Sequence, residues 1–448
     1  MIPPPAEDPP RGSGADRQSG VARRTLLLLG TTSVGLLAGG AAWRTAETGE
    51  EKIPLYSSGV AFDSSGTRVL LAPDHRSPPG STSRVRPGAR GVEEILLAEV
   101  ALLAATTPLV LPRWHEMVSA AVLDLNVLSH GLAAPVAAWT DRWRYVWPRD
   151  TAHVCRVLAR LGRGDDVVSS LRFLAAAQRS DGHFEARYTL AGGVPDDRSV
   201  QADGVGWFLW AVHESCAALP ERRPEILSVT REAAARALRA VYRDLDGGRG
   251  LPTATPDYWE VPERRTTLGV AALTLLGLQS ASRLGEELCP EAGAAGDRAD
   301  RLLATVRREF GRRGFQRYVR GGGHDAAITF LLPPYVTGLE ADVATVLGAA
   351  WDAMSRPAGG VAPGAGWKDE HISWTPETAL FAQAWAELGR SERAGEILDW
   401  LDEHRTPGGS LPEKVLGNGA PAAVAPLAWT CAVVSSTAFT LSGRTPTT

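Results

Sequence analysis

The stretch "DTAHVCRVLARLGRGDDVVSSLRFLAAAQRSDGHFEARYTLAGGVPDDRSVQADG" (residues 150–204) contains the pattern that decides the fold. Apolar residues recur with helical spacing over 150–162 and again over 165–178, which predicts two helices joined by a short turn. A long loop with charged and aromatic residues, 179–204, follows this pair. The alternation of a helix pair and a longer polar loop continues along the chain, so we expect a fold assembled from helical hairpins.

Helical periodicity dominates the sequence from about residue 92 to the C-terminus. About twelve helices are predicted, near residues 92–104, 112–131, 150–162, 165–178, 200–218, 226–243, 267–284, 297–311, 341–354, 375–389, 391–403 and 425–441. Paired helices with polar loops on alternate connections indicate two concentric rings, an all-α (α/α)6 barrel whose loops at one end form a pocket. This helix count excludes a (β/α)8 barrel.

Three regions are predicted along the 448 residues. Residues 1–49 begin with a disordered Pro- and Gly-rich segment, and then Arg23 and Arg24 precede an apolar run, as in a twin-arginine export signal. An uncleaved membrane anchor and a buried core helix are the alternatives for this run. Residues 50–90 are expected to form a short β-rich segment and residues 91–448 the barrel. We therefore expect a secreted or membrane-anchored protein that acts outside the cytoplasm.

The composition indicates a sugar ligand. The net charge is −4, which gives no reason to expect nucleic acid or an anionic surface as a partner. The chain has 14 Trp against 9 Phe and 7 Tyr, and the flat indole ring with its polar N–H suits stacking on a polar ring ligand. We expect a glycan as the partner, with membrane contact only through an uncleaved anchor.

The cysteines and histidines do not have the spacing of metal ligands. The four cysteines are far apart in the sequence, and a cysteine in an apolar helical pattern is usually a small buried hydrophobe. The histidines are equally scattered. The prediction is therefore no metal and no cofactor.

The segment "YVWPRDTAHV" (145–154) places bulky, stiff and charged residues at a helix entrance. Asp150 is suited to cap the helix that follows, which is the structural alternative. Capping does not explain Arg149, or Trp143 and Trp147 nearby. We expect Arg149 and Asp150 to hold adjacent sugar hydroxyls by charge-assisted hydrogen bonds between the indole rings.

Two glutamates lie in loops that suit acid–base catalysis. Glu260 in "PDYWE" follows Trp259, and an apolar wall raises the pKa of a carboxyl group, as a general acid requires. Glu413 in "GGSLPEKVLGNG" is held in a Gly/Pro frame that suits a general base. The alternative for each is an exposed loop glutamate. Glycosidases commonly use two such carboxylates on either side of the scissile bond.

These motifs, in order over residues 110–441, resemble the bacterial branch of the glucoamylase family, glycoside hydrolase family 15. The segments that carry the resemblance are "YVWPRDTAHV", "QRSDGHFEARY", "VPDDRSVQADGVGW", "DYWE", "WTPETALFAQAWAELG" and "LPEKVL". The resemblance implies an (α/α)6 barrel that hydrolyses α-glucosidic bonds from non-reducing ends with inversion. It implies Glu260 as general acid and Glu413 as general base, with about 6.5–9.5 Å between their carboxyl groups.

The resemblance also implies a set of substrate-binding residues. The terminal sugar is expected to contact Trp147, Arg149, Asp150 and Trp259, and the pocket border is expected to include Gln201, Asp203 and Trp207. Trp143 stands where many relatives have a tyrosine that places the attacking water, and Lys414 stands where many have glutamine. The usual arginine of the next subsite has no counterpart. The stretch "GGVAPGAGWKDEHISWTPE" (359–377) offers Trp367, Lys368, Glu370 and His371 instead.

Three further functions remain as alternatives. A glycan-binding protein without hydrolysis is favoured by Trp143 and Lys414. A phosphorolytic enzyme would need an anion site in place of Glu413, and a polysaccharide lyase would need a basic groove.

Overall fold

The structure is a computed structural model and describes residues 53–78, 82–247 and 250–443. The proposed export signal, including Arg23 and Arg24, lies outside these residues. Within them the α-helices are α1 (Glu93–Thr106), α2 (His115–Ser129), α3 (Pro148–Arg160), α4 (Gly164–Ala177), α5 (Asp203–Ala218), α6 (Arg223–Asp246), α7 (Leu268–Leu284), α8 (Ala295–Glu309), α9 (Glu340–Ala344), α10 (Leu347–Met354), α11 (Thr375–Glu387), α12 (Ser391–Glu403) and α13 (Ala428–Ser442). The strands are β1 (Gly59–Phe62), β2 (Arg68–Leu71), β3 (Ser373–Trp374), β4 (Lys414–Val415) and β5 (Pro421–Ala422).

The helices form two concentric rings, which confirms the predicted (α/α)6 barrel. Going around the inner ring, α3 packs on α5, α5 on α7, α7 on the 3₁₀ helix Ala326–Leu331, that helix on α11, α11 on α13, and α13 back on α3. Helices α2, α4, α6, α8, α10 and α12 lie outside and pack on inner members. The predicted β-rich N-terminal segment contains the antiparallel hairpin β1–β2.

Side-chain size and polarity distinguish the inner helix α7 from the outer helix α6. Helix α7 is apolar or small over most of its length and is buried on nearly all sides, whereas α6 buries one stripe and exposes charged residues. Gly206 allows α5 to approach α7 closely, because a Cβ atom there would lie 2.1 Å from the Leu273 carbonyl oxygen. Helices α5 and α7 therefore pack nearly backbone to backbone at this crossing.

The structure differs from the sequence prediction at two places in the barrel. One inner position is filled by the 3₁₀ helix Ala326–Leu331, which is too short for a periodic pattern to reveal. The predicted helix at 341–354 is two helices, α9 and α10, with a break at residues 345–346.

A small sheet near the C-terminus was not predicted. Its strands are ordered β3–β4–β5, all antiparallel. The Tyr56 N–H donates to the Ala423 carbonyl oxygen at 2.8 Å, and Ser57 Oγ donates to the Ala425 carbonyl oxygen at 2.8 Å. These two hydrogen bonds hold the first described residues beside the segment that follows β5.

The described helices include none that is both long and apolar enough to cross a membrane.

Candidate active site

A cavity of about 530 Å³ opens at the end of the barrel where α3, α11 and α13 begin. Its wall contains eight of the residues singled out from the sequence, namely Trp143, Trp147, Arg149, Asp150, Trp259, Glu260, Trp367 and Glu413. It also contains residues not singled out as binding residues, among them Arg142, Arg187, Arg198, Tyr258, Trp374, Glu377, Lys414 and Trp429. The loops named from the sequence therefore converge on one pocket.

The first turn of α3 places an ion pair in the wall of this cavity. Trp147 is the extended residue before the helix and Pro148 occupies its first turn, and no side chain caps this end. The capping alternative for Asp150 is therefore wrong. Asp150 Oδ2 instead accepts hydrogen bonds from Arg149, with Nε at 3.1 Å and the terminal nitrogen at 2.9 Å.

The Arg149–Asp150 pair has hydrogen-bonding capacity left for a ligand. The Arg149 guanidinium lies 4.2 Å from the centre of the Trp429 ring, which fixes its plane. Asp150 Oδ1 is buried and has no partner within the described chain. Burial raises the pKa of Asp150, while Arg149 opposes that rise. A sugar hydroxyl would satisfy the free oxygen.

Glu260 is held in a strained turn with both carboxyl oxygens engaged. Its φ of 56° lies in the left-handed region, which is costly for a residue with a Cβ atom. The Trp147 indole N–H donates to Oε1 at 2.9 Å, and Arg198 donates to Oε2. The turn is fixed by Asp257, whose carbonyl accepts from the Glu260 N–H at 2.8 Å and whose Oδ1 accepts from the Trp259 N–H at 3.0 Å.

Arg317, which the sequence analysis did not identify, is buried next to this turn and stabilises it. Its side chain is only 1% exposed and donates to Asp257 at 3.1 Å, to Glu263 at 2.7 Å and to Asp325 at 2.5 Å. Its guanidinium also lies 3.6 Å from the centre of the Trp259 ring. Asp325, in the stretch "GGGHDAA" (321–327), therefore has a structural role, because a buried arginine needs several carboxylates to offset its desolvation.

Glu413 lies directly before β4, and β4 pairs with β3, the strand that leads into α11. Its N–H donates to the Val424 carbonyl at 2.8 Å, and its carbonyl accepts from the Thr375 N–H at 3.1 Å. Lys414 Nζ lies 3.6 Å from Glu413 Oε2 and 4.2 Å from the centre of the Trp374 ring. Burial raises the pKa of Glu413, whereas Lys414 and the Trp143 side chain act to lower it.

Glu377 is a third carboxyl group in the cavity that sequence reasoning did not single out. It lies in the first turn of α11, is 3% exposed, and its Oε2 has no partner within the described chain. Burial raises its pKa to about 8, with Arg149 lowering it and Glu413 raising it. The available signal was "WTPE", which places Trp, Pro and an acid at a helix start much as "WPRD" does.

Three residues expected at the pocket border lie elsewhere. Trp207 is buried in the barrel core, with its ring centre 4.8 Å from that of His153 and 5.1 Å from that of Phe330. Asp203 begins α5 and is buried, and burial raises its pKa to about 7. Gln201 lines a separate depression beside the outer edge of Glu260. Asp203 and Trp207 lie behind the cavity wall because the first turns of α5 are buried in the core.

Within the described chain, no three His, Cys, Asp or Glu side chains are grouped so as to hold a metal ion. The four cysteines are buried and unpaired, and burial raises the pKa of the Cys155 thiol to about 12. These thiols are structural.

Comparison with solved structures shows the fold of the glucoamylases. A wild-type glycosidase superposes with a TM-score of 0.60 at 18% identity, over 77% of this chain and 98% of that chain. A glucoamylase from Saccharomycopsis fibuligera gives a TM-score of 0.55 at 13% identity, over 83% and 97%. The glycoside hydrolase family 15 glucoamylase from Hypocrea jecorina gives 0.56 at 14%, over 80% and 73%. Sequence comparison gives no match to a family model or to a curated protein. The chain therefore has a glucoamylase-like (α/α)6 barrel.

Proposed function

We propose that the protein is an inverting glycoside hydrolase of the glucoamylase type, acting on α-glucosidic linkages at non-reducing ends. The observation that carries this proposal is the presence of Glu260 and Glu413 in one cavity with the Arg149–Asp150 pair. Two carboxyl groups, a polar grip on a terminal sugar and aromatic walls are the elements that glycoside hydrolysis requires.

In the proposed reaction Glu260 protonates the leaving glycosidic oxygen and Glu413 activates water on the other face of the sugar. Each proton transfer typically contributes about 10²–10⁴-fold to the rate. Arg149 and Asp150 orient the terminal sugar by charge-assisted hydrogen bonds, which favours one reactive geometry. The indole rings of Trp147, Trp259 and the neighbouring tryptophans exclude water from the rest of the site.

The comparisons support a carbohydrate substrate. One similar structure is a glycosidase variant in complex with glucose, with a TM-score of 0.60 at 18% identity, and another is a bacterial glucoamylase complexed with acarbose, with 0.57 at 16%. We further propose that the protein is exported, on the basis of Arg23, Arg24 and the apolar run that follows them.

Proton NMR of the anomeric signals tests the proposal, with purified protein acting on maltotriose, isomaltose and trehalose. We expect β-glucose to appear first from one of these α-linked substrates, and Glu260→Gln and Glu413→Gln to abolish its release. Glu232→Gln, an exposed glutamate on α6, is the matched control and should retain full activity.

Initial release of α-glucose would contradict the assigned pair of carboxylates. Saccharide binding without any turnover would instead support the alternative of a glycan-binding protein on the same barrel.

A further inference from the structure

The cavity combines buried carboxyl groups with cationic side chains nearer its mouth. Asp150, Glu377 and Glu413 are buried. Besides Arg149, the cations of the described cavity wall are Arg142, Arg187, Arg198 and Lys414. The protein partners of each of these four side chains decide whether it has charge left for a ligand.

Two of these cations are already committed to the protein. Arg187 is ion-paired with Asp196 and its guanidinium lies 4.5 Å from the centre of the Tyr145 ring. Lys414 lies against Glu413 and the Trp374 ring. These two cations therefore offer little to a ligand.

In the part of the chain that the structure describes, Arg142 is free, whereas Arg198 is partly exposed but shared between two carboxylates. The Arg142 side chain is exposed and has no hydrogen-bond or ion-pair partner within the described chain. The Arg198 side chain is 39% exposed, contacts Glu260 Oε2, and has Asp196 Oδ2 3.3 Å from its Nε.

The contact between Arg198 and Glu260 conflicts with the proposed role of the acid. Because Trp147 donates to one oxygen of Glu260 and Arg198 to the other, both oxygens are engaged as acceptors. A general acid must donate a proton from one of them to the leaving oxygen. Arg198 occupies one of these oxygens, so an anion that draws Arg198 away would free that oxygen to donate.

We propose that the leaving part of the substrate carries an anionic group, a carboxylate or a phosphate, which binds Arg142 and Arg198 and thereby releases Glu260. Guanidinium groups match the geometry of both anions. This inference rests on the proposed hydrolysis and makes Arg198 a specificity residue of that site.

Matched substrates test this inference in the full-length protein. Maltobionate and maltitol both carry an open-chain leaving part and differ in the carboxylate, and maltose 1-phosphate compared with maltose tests phosphate. We expect kcat/KM to be about 10- to 100-fold higher for one anionic member than for its neutral partner, the range of one or two charge-assisted hydrogen bonds. The member that gains identifies the anion, and added salt should reduce the gain.

Substitutions at the two arginines should affect the anionic and the neutral substrate differently. Arg198→Gln should lower kcat/KM for the anionic substrate and raise it for the neutral one, because Glu260 is released without the anion. Arg142→Gln should lower only the anionic value. Arg223→Gln, an arginine paired with Glu287 far from the cavity, is the control and should change neither.

Calorimetric measurement of ligand binding to the Glu413→Gln variant tests the anion site separately from the proposed hydrolysis. Equal affinities for the anionic and neutral members of both pairs would overturn the anionic inference, whether or not the enzyme cleaves them. Tighter binding of an anionic member with no turnover by the unsubstituted protein would uphold the anion site and contradict the proposed hydrolysis.

Discussion

At the scale of single residues, the site depends on carboxyl groups whose surroundings differ. Glu260 is engaged by two donors, Glu413 has a cation beside it, and Glu377 is buried with an unpaired oxygen. Composition and motif order were sufficient to name Glu260 and Glu413. Arg317 could not be identified in this way, because its importance comes from burial and from partners distant in sequence. Glu377 had the local signal "WTPE", but its burial could not be read from the sequence.

The lysine after Glu413 should influence the pH dependence of activity. Lys414 lowers the pKa of Glu413 against the effect of burial, so Lys414→Gln should raise that pKa. A base with a higher pKa stays protonated to a higher pH, so the acidic limb of the kcat/KM profile should shift to higher pH. Lys368→Gln removes the same charge from an exposed position and should leave the limb in place. An unchanged limb in Lys414→Gln would show that Glu413 does not set it.

Glu377 should make the folded protein less stable as the pH rises. Its pKa is raised from 4.5 to about 8, so in this interval the unfolded chain loses a proton that the folded chain keeps. The free energy of unfolding therefore falls by up to a few kcal/mol between these two pH values and is constant above the higher one. Glu377→Gln cannot ionise and should lose less thermal stability between pH 5 and pH 8 than the unsubstituted protein.

Melting temperatures at the two pH values, with Glu232→Gln as an exposed control, measure the difference. Parallel pH dependences in all three proteins would mean that Glu377 is not buried as a neutral acid.

At the scale of secondary-structure elements, the inner helices combine apolar surfaces with small residues at their crossings. The period of 3.6 residues was sufficient to predict most helices, because long amphipathic or apolar segments carry that signal strongly. It failed for Ala326–Leu331 and for the strands of two residues, which are too short to show any period. The sheet β3–β4–β5 is defined by pairing between distant segments, and no local pattern predicts such pairing.

The crossing of α5 and α7 should tolerate no side chain at Gly206. An alanine Cβ atom would lie 2.1 Å from the Leu273 carbonyl oxygen, so the helices must move apart. We expect Gly206→Ala to lower the free energy of unfolding by about 1–3 kcal/mol. Gly348→Ala is the matched control, because that position in α10 is exposed and has open space around it.

Gly348→Ala should instead stabilise the protein, by roughly 0.5–1 kcal/mol, since alanine is the better helix former. Urea denaturation of the two variants measures both values. A Gly206→Ala variant as stable as Gly348→Ala would show that α5 and α7 are farther apart than described.

At the scale of the whole molecule, the barrel gathers loops from residues 137–429 at one end. Residues 147 to 150, 257 to 260 and 413 to 414 meet in the cavity although hundreds of residues can separate them. The order of motifs along the sequence predicted this convergence once the barrel was inferred. The sequence did not place Trp207 and Asp203 behind the wall, because which face of α5 points inward depends on its neighbours.

The hydrogen bonds of Tyr56 and Ser57 to the strand beside Glu413 have a consequence for biosynthesis. Tyr56 and Ser57 leave the ribosome before the barrel is made, whereas Ala425, the partner of Ser57, follows 368 residues later. Long-range pairings of this kind form late, since the intervening chain must be ordered first. The segment that supports the proposed base can therefore be completed only after residue 425 has been made, so a protein interrupted before that point would contain most of the barrel and lack these hydrogen bonds.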